Sequence, residues 1–137
     1  MAGESILSAM NGDEKQKPDL RVRTKAFALR IIRLYGSLPR ITEAQVLGKQ
    51  LLRSGTSVGA QYREAVRARS RAEFVSKIET ALQELEETVY WIELLADGGI
   101  VPPKNLQNLL REAQELMSIF VRSAKTAKAT KKPTAEQ

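Results

Sequence analysis

Arg63, Arg67 and Arg71 recur every four residues, with Arg53 and Arg69 close by in the chain. On a helix that spacing lines guanidinium groups along one side, where their forked N–H donors match the oxygens of successive phosphates. The same ladder can equally be a solvated face or the partner of carboxylates on an adjacent helix. Such carboxylates exist: Glu79, Glu86 and Glu93 recur at seven-residue spacing, flanked by Glu84 and Glu87. Clustered carboxylates can hold a divalent cation or share acid–base work. Neither task needs a heptad, whereas a helix flank facing basic neighbours does. Ion pairing and assembly are therefore the reading for Glu79, Glu86 and Glu93.

Few other side chains offer chemistry. The chain has no Cys and no His, which removes thiol nucleophiles, disulfides, the usual zinc ligands and the commonest general base at neutral pH. Gly55-Thr56-Ser57-Val58-Gly59 is not a phosphate loop, since no Gly-Lys-Ser/Thr follows and no strand precedes it. Catalytic, cofactor-binding and metal-binding residues are all expected to be none. Trp91 falls on a stripe with Ala81, Glu84, Thr88 and Leu95. There it is either a core-edge residue or an interface anchor. Tyr62 reads as core-edge, its hydroxyl reaching solvent or a carboxylate of the third helix.

These groups need elements to carry them, and the pattern is helical throughout. The first helix spans Asp19 to Ser37, capped by Asp19 and ended by Pro39, with Leu20, Phe27, Ile31, Leu34 and Leu38 near one face. Thr42 and Gln45 have the spacing of a capping box for the second. Its small and apolar positions are Ala44, Leu47, Leu51, Gly55, Val58, Tyr62 and Val66. Because that phase runs unbroken through Ser54–Gly59, one long helix is favoured over a loop. Ser70 and Glu73 form a second capping box, so a sharp turn belongs near Arg69. The third helix carries a seam of Phe74, Ile78, Leu82, Leu85, Val89, Ile92 and Ala96, stopped by Asp97-Gly98-Gly99. The fourth follows with Pro102 and Pro103 in its first turn and Leu106, Leu109, Leu110, Ala113, Leu116, Met117, Phe120 and Ala124 inward.

Four amphipathic helices with short links predict an all-α antiparallel up-and-down four-helix bundle over residues 19–124. Residues 1–18 are expected to form a mobile N-terminal tail and residues 125–137 a basic mobile C-terminal tail. No signal peptide is apparent in the first residues and no apolar run approaches the length of a membrane span, so a cytoplasmic protein without membrane contact is expected. The net charge of +6 is uneven: residues 72–101 hold seven acids and one Lys, and every other segment is basic. One acidic helix among basic ones suggests either charge pairing within an assembly or an acidic face opposite basic ones.

The block LPRITEAQVLGKQLLRSGTSVGAQYREAVRARSRAEFVSKIETALQELEETVYWIELLADGGIV resembles the four-helix-bundle proteins of 23S rRNA intervening sequences (the S23 type), with the likeness running from about Phe27 to Phe120. The run SGTSVGAQYREA–RARS–AEF carries it; Gln61 stands where the family pattern usually has Asn. The resemblance implies a homo-oligomer, with a ring of five subunits favoured. A related branch contains accessory proteins of diversity-generating retroelements, which assist a reverse transcriptase. It thereby implies RNA or DNA, or a reverse transcriptase, as partner. The resulting expectation is a non-enzymatic oligomeric bundle that binds nucleic acid, or a protein handling it, through Arg53, Arg63, Arg67, Arg69 and Arg71. Arg21, Arg23, Lys25, Arg30 and Arg33 of the first helix form a second set. The alternative is a structural protein–protein module without any nucleic-acid role.

Overall fold

The computed structural model describes residues 19–130, and the expected N-terminal tail and the last seven residues lie outside them. Four helices fill the described chain: α1 (Leu20–Ser37), α2 (Thr42–Val66), α3 (Arg71–Asp97) and α4 (Gln107–Ala129), with a 3₁₀ turn at Pro103–Asn105 before the last. There is no strand among the described residues. Short links make neighbours antiparallel. α2 packs broadly on α1 and α3, and α3 on α4, while α4 and α1 close the bundle through a much thinner seam. The fold is the all-α up-and-down bundle that the helical periodicity predicts.

The helix ends show which local signals operate. Asp19 caps α1, its Oδ1 accepting from the Arg21 amide at 2.8 Å. Ser70 caps α3 by accepting from the Glu73 amide at 3.0 Å, and the Glu73 carboxylate accepts from the Arg69 amide, one residue before the position of an ideal box. The Thr42–Gln45 box does not form: Ile41 is the N-cap of α2 and no side chain caps it. Gln45 is occupied elsewhere, donating to the Pro39 carbonyl at 3.0 Å and accepting from the Tyr35 hydroxyl at 3.2 Å. Gly99 ends α3 in the left-handed region, at φ 72°. Pro102 and Pro103 belong to the 3₁₀ turn, not to the first turn of α4. α4 runs past the expected boundary at Ala124 to Ala129, because Ala124 and Ala127 are both buried.

Small residues set the helix spacing. α2 is continuous through Ser54–Gly59, and its glycines lie against α1. A Cβ on Gly55 would stand 2.8 Å from Ile31 Cγ1, and one on Gly48 2.6 Å from Leu38 Cδ1. The buried face of α2 therefore includes Gly48 and Ala65 at its centre, with Leu47 and Val66 only half-buried at its flanks. α3 behaves alike: Phe74, Ile78, Ala81, Leu85, Thr88, Ile92 and Leu95 point into the core, and the expected seam members Leu82, Val89 and Ala96 are shoulders. Between α2 and α3 the core holds one polar contact, Ser54 Oγ to Thr88 Oγ1 at 2.8 Å, with Thr88 also donating to the Glu84 carbonyl. Both hydroxyls are thus satisfied, which a buried polar group requires.

Candidate nucleic-acid interface

An up-and-down bundle brings the starts of α1 and α3 to the same end as the finishes of α2 and α4. Dividing each helix at its middle, that end holds eleven Lys/Arg against five Asp/Glu, and the opposite end seven against seven. The whole net charge of the described residues thus sits at one end. Arg21, Arg23 and Lys25 come from α1, Arg63, Arg67 and Arg69 from the close of α2, Arg71 and Lys77 from α3, and Arg122, Lys125 and Lys128 from α4.

At this end a cleft of about 390 Å³ opens between α1 and α2, lined by Asp19, Arg21, Tyr62, Arg63, Glu64, Val66 and Arg67. Arg21, Arg63 and Arg67 are exposed and enter no ion pair among the described residues. Both carboxylates of the cleft are occupied elsewhere, Asp19 by the α1 amide and Glu64 by Lys77 at 2.6 Å. Tyr62 forms the cleft floor, its ring stacked on Phe120 with centroids 6.1 Å apart. Burial, with a further push from Asp19, raises its hydroxyl from 10.0 to about 12. Its hydroxyl makes no hydrogen bond to a carboxylate of α3 among the described residues.

The other candidates divide by what they touch. Arg53 lies between Glu84 at 3.3 Å and Glu87 on α3, and its hydrogen bond to Glu87 holds the guanidinium more firmly protonated. Arg23 bridges to Glu112 at 2.7 Å and to Glu115, bolting α1 to α4 across the thin seam. Both therefore carry the ion-pair role, and so does Glu79, which Lys128 reaches at 2.9 Å. Arg30 and Arg33 line a separate concavity of about 430 Å³ with Leu34, Ser37, Val101, Asn105, Leu106 and Leu109, farther along α1. Arg69 and Arg71 flank the α2–α3 turn at the basic end; the Arg71 Nε is buried without a hydrogen-bond partner among the described residues. Trp91 is half-buried against the core, and its Nε1 is also buried and unbonded. Lys25, Glu86 and Glu93 are exposed and make no ion pair among the described residues. The ten basic candidates thus separate into one cleft, one turn, a second concavity, two structural bolts and one exposed α1 lysine.

What the arrangement can do is bind anions. No group of three His, Cys, Asp or Glu side chains among the described residues could hold a metal ion. No described helix is long and apolar enough to cross a membrane. Arg122 and Lys125 of α4 add exposed positive charge to the basic end; the extension of α4 beyond Ala124 is what places Lys125 and Lys128 there, and the repeating core positions Phe120, Ala124 and Ala127 are the sequence signal for it.

The family of 23S rRNA-intervening sequence proteins matches residues 18–122. Among solved structures, a protein of unknown function of the S23 ribosomal protein family from Bacteroides thetaiotaomicron VPI-5482 is 36% identical and superposes with a TM-score of 0.74, covering 78% of this chain and 99% of that one. No curated protein matches.

Proposed function

The chain belongs to the 23S rRNA-intervening sequence protein family, and we propose that it is a non-enzymatic bundle that binds structured RNA at its basic end, with the Arg21–Arg63–Arg67 cleft as the central contact. The observation that carries this reading is the segregation of charge: all of the net +6 lies in the half of the bundle where that cleft opens. Guanidiniums left without carboxylate partners at the mouth of a concave site suit phosphate oxygens. Arg69, Arg71, Arg122 and Lys125 extend the same positive field around it. Arg23 and Arg53 are excluded from the contact, because recruiting either would strip a partnered carboxylate.

The test is fluorescence anisotropy of a labelled structured RNA against salt. Three cleft contacts give a log–log slope of about −2 to −3. Arg63→Ala with Arg67→Ala lowers affinity and flattens that slope by about 1.4–1.8, whereas Arg53→Ala leaves the slope alone. RNA binding that ignores salt, or none at low salt, refutes the reading.

A further inference from the structure

Arg23 and Arg30 stand seven residues apart on α1, so they share one stripe to within about 20°. At the thin α1–α4 seam Arg23 finds Glu112 at 2.7 Å, and Glu115 beside it. α4 runs antiparallel to α1, so the residues that answer to Arg30 lie seven positions earlier on that strand of the seam. Asn105 stands seven before Glu112, and Asn108 seven before Glu115. Where the repeat holds two carboxylates for Arg23, it holds two amides for Arg30. Asn108 is already engaged, accepting from Arg111 at 2.9 Å. Arg30 is half-buried and Arg33 exposed, and neither enters an ion pair among the described residues.

Here the seam opens into the concavity of about 430 Å³, set between the end of α1, the α3–α4 link and the start of α4. Its polar rim includes Arg30, Arg33 and Asn105, and no Asp or Glu lines it. Its floor is aliphatic. Leu106 and Leu109 are 3% and 5% exposed, with Leu34 and Val101 half-buried beside them. The link is held in shape by its own backbone: the Ile100 and Val101 amides donate to the Leu95 carbonyl at 3.0 and 3.1 Å, and the Leu106 amide to the Pro103 carbonyl at 2.9 Å. The concavity is thus preformed, with an apolar lining and two convergent cations, at the scale of a small-molecule site.

We propose that this concavity binds a small aliphatic monocarboxylate, of the class of a medium-chain fatty acid, with its carboxylate on Arg30 and Arg33 and its hydrocarbon over Leu34, Val101, Leu106 and Leu109. The ligand's carboxylate does for Arg30 what Glu112 does for Arg23 one heptad away. A guanidinium fork matches both oxygens of a carboxylate, and a half-buried fork without a counter-ion gains more from one than a fully solvated fork does. A nucleic-acid backbone suits the site badly. It brings no aliphatic body to cover four apolar side chains, and this end of the bundle, with seven Lys/Arg against seven Asp/Glu, has no net charge to draw a polyanion. Arg30 and Arg33 thereby leave the nucleic-acid set, and the site stands whether or not RNA enters the cleft at the basic end.

Isothermal titration calorimetry of the full chain with sodium octanoate tests it, with far-ultraviolet circular dichroism as the folding check. Octanoate binds saturably, one per chain. Acetate, which keeps the carboxylate, and octanol, which keeps the hydrocarbon, each bind about tenfold or more weakly by comparison. Arg30→Gln with Arg33→Gln lowers octanoate affinity about tenfold or more. Asn105→Glu supplies the heptad carboxylate from the chain itself, so it occupies Arg30 and lowers octanoate affinity to a similar degree while every cation of α1 remains. Methyl nuclear magnetic resonance needs no variant: octanoate shifts the Val101, Leu106 and Leu109 methyl signals and leaves those of exposed Val22 in place. No saturable binding, octanol as tight as octanoate, a folded variant of either kind that binds like the wild type, or shifts that miss these three residues overturns the proposal. Octyl phosphate bound tenfold tighter than octanoate overturns it in favour of a phosphate ester.

Discussion

Replacing Gly55 by Ala sets two well-measured effects against each other. In a helix interior the change is worth about 1 kcal/mol in favour of Ala. Here the new methyl carbon would sit 2.8 Å from Ile31 Cγ1, 3.0 Å from Cγ2 and 3.2 Å from Cδ1, inside the ordinary separation of about 3.5–4 Å. Ile31 is fully buried and β-branched, so it cannot swing away and α1 must retreat. Overpacking of that kind costs about 1–3 kcal/mol, leaving a net loss of about 1 kcal/mol and a fall in Tm of about 4 °C. Gly36→Ala is the internal control. A Cβ there meets nothing within 4 Å, so the protein gains about 0.5 kcal/mol. In an Ile31→Ala background the obstruction is gone, and Gly55→Ala should stabilise by about 1 kcal/mol. The assay is urea unfolding followed by circular dichroism, with all variants compared at one protein concentration. A Gly55→Ala protein as stable as the parent, or no reversal of sign in the Ile31→Ala background, refutes the claim that Gly55 sets the approach of α1 to α2.

Two further outcomes follow from buried polar groups. Ser54→Ala removes one partner of Thr88 but leaves the Thr88 bond to the Glu84 carbonyl at 2.7 Å, so the loss is about 0.5–1.5 kcal/mol in urea unfolding. Adding Thr88→Val, which removes the other hydroxyl, brings the double variant closer to the parent than the sum of the singles. Burial raises the Tyr62 hydroxyl from 10.0 to about 12; the neutral phenol favoured by the fold is fully present below pH 10, and its stabilisation is lost as pH rises toward 12. Tyr62→Phe should lose stability more slowly than the parent over that window, and equal slopes would count against burial of the phenol.

Helix number, helix direction and most boundaries were legible because the punctuation is strong. Pro39, the Ser70–Glu73 cap and Gly98-Gly99 each mark an end that physical chemistry enforces. Less legible was which side of each helix faces inward, and the reason is specific. Gly48, Ser54, Ala65, Ala81 and Thr88 are fully buried or face a neighbouring helix closely, yet none reads as strongly apolar. Their larger neighbours Leu47, Val66, Leu82 and Val89 attract a hydrophobicity reading and turn out to be shoulders. Regular spacing of small residues, such as Gly48 and Gly55 one heptad apart, is the signal that corrects it. The division among arginines was not legible at all. Arg53 and Arg63 are alike in sequence, and only the placement of α3 gives one a pair of carboxylates and leaves the other at a cleft mouth.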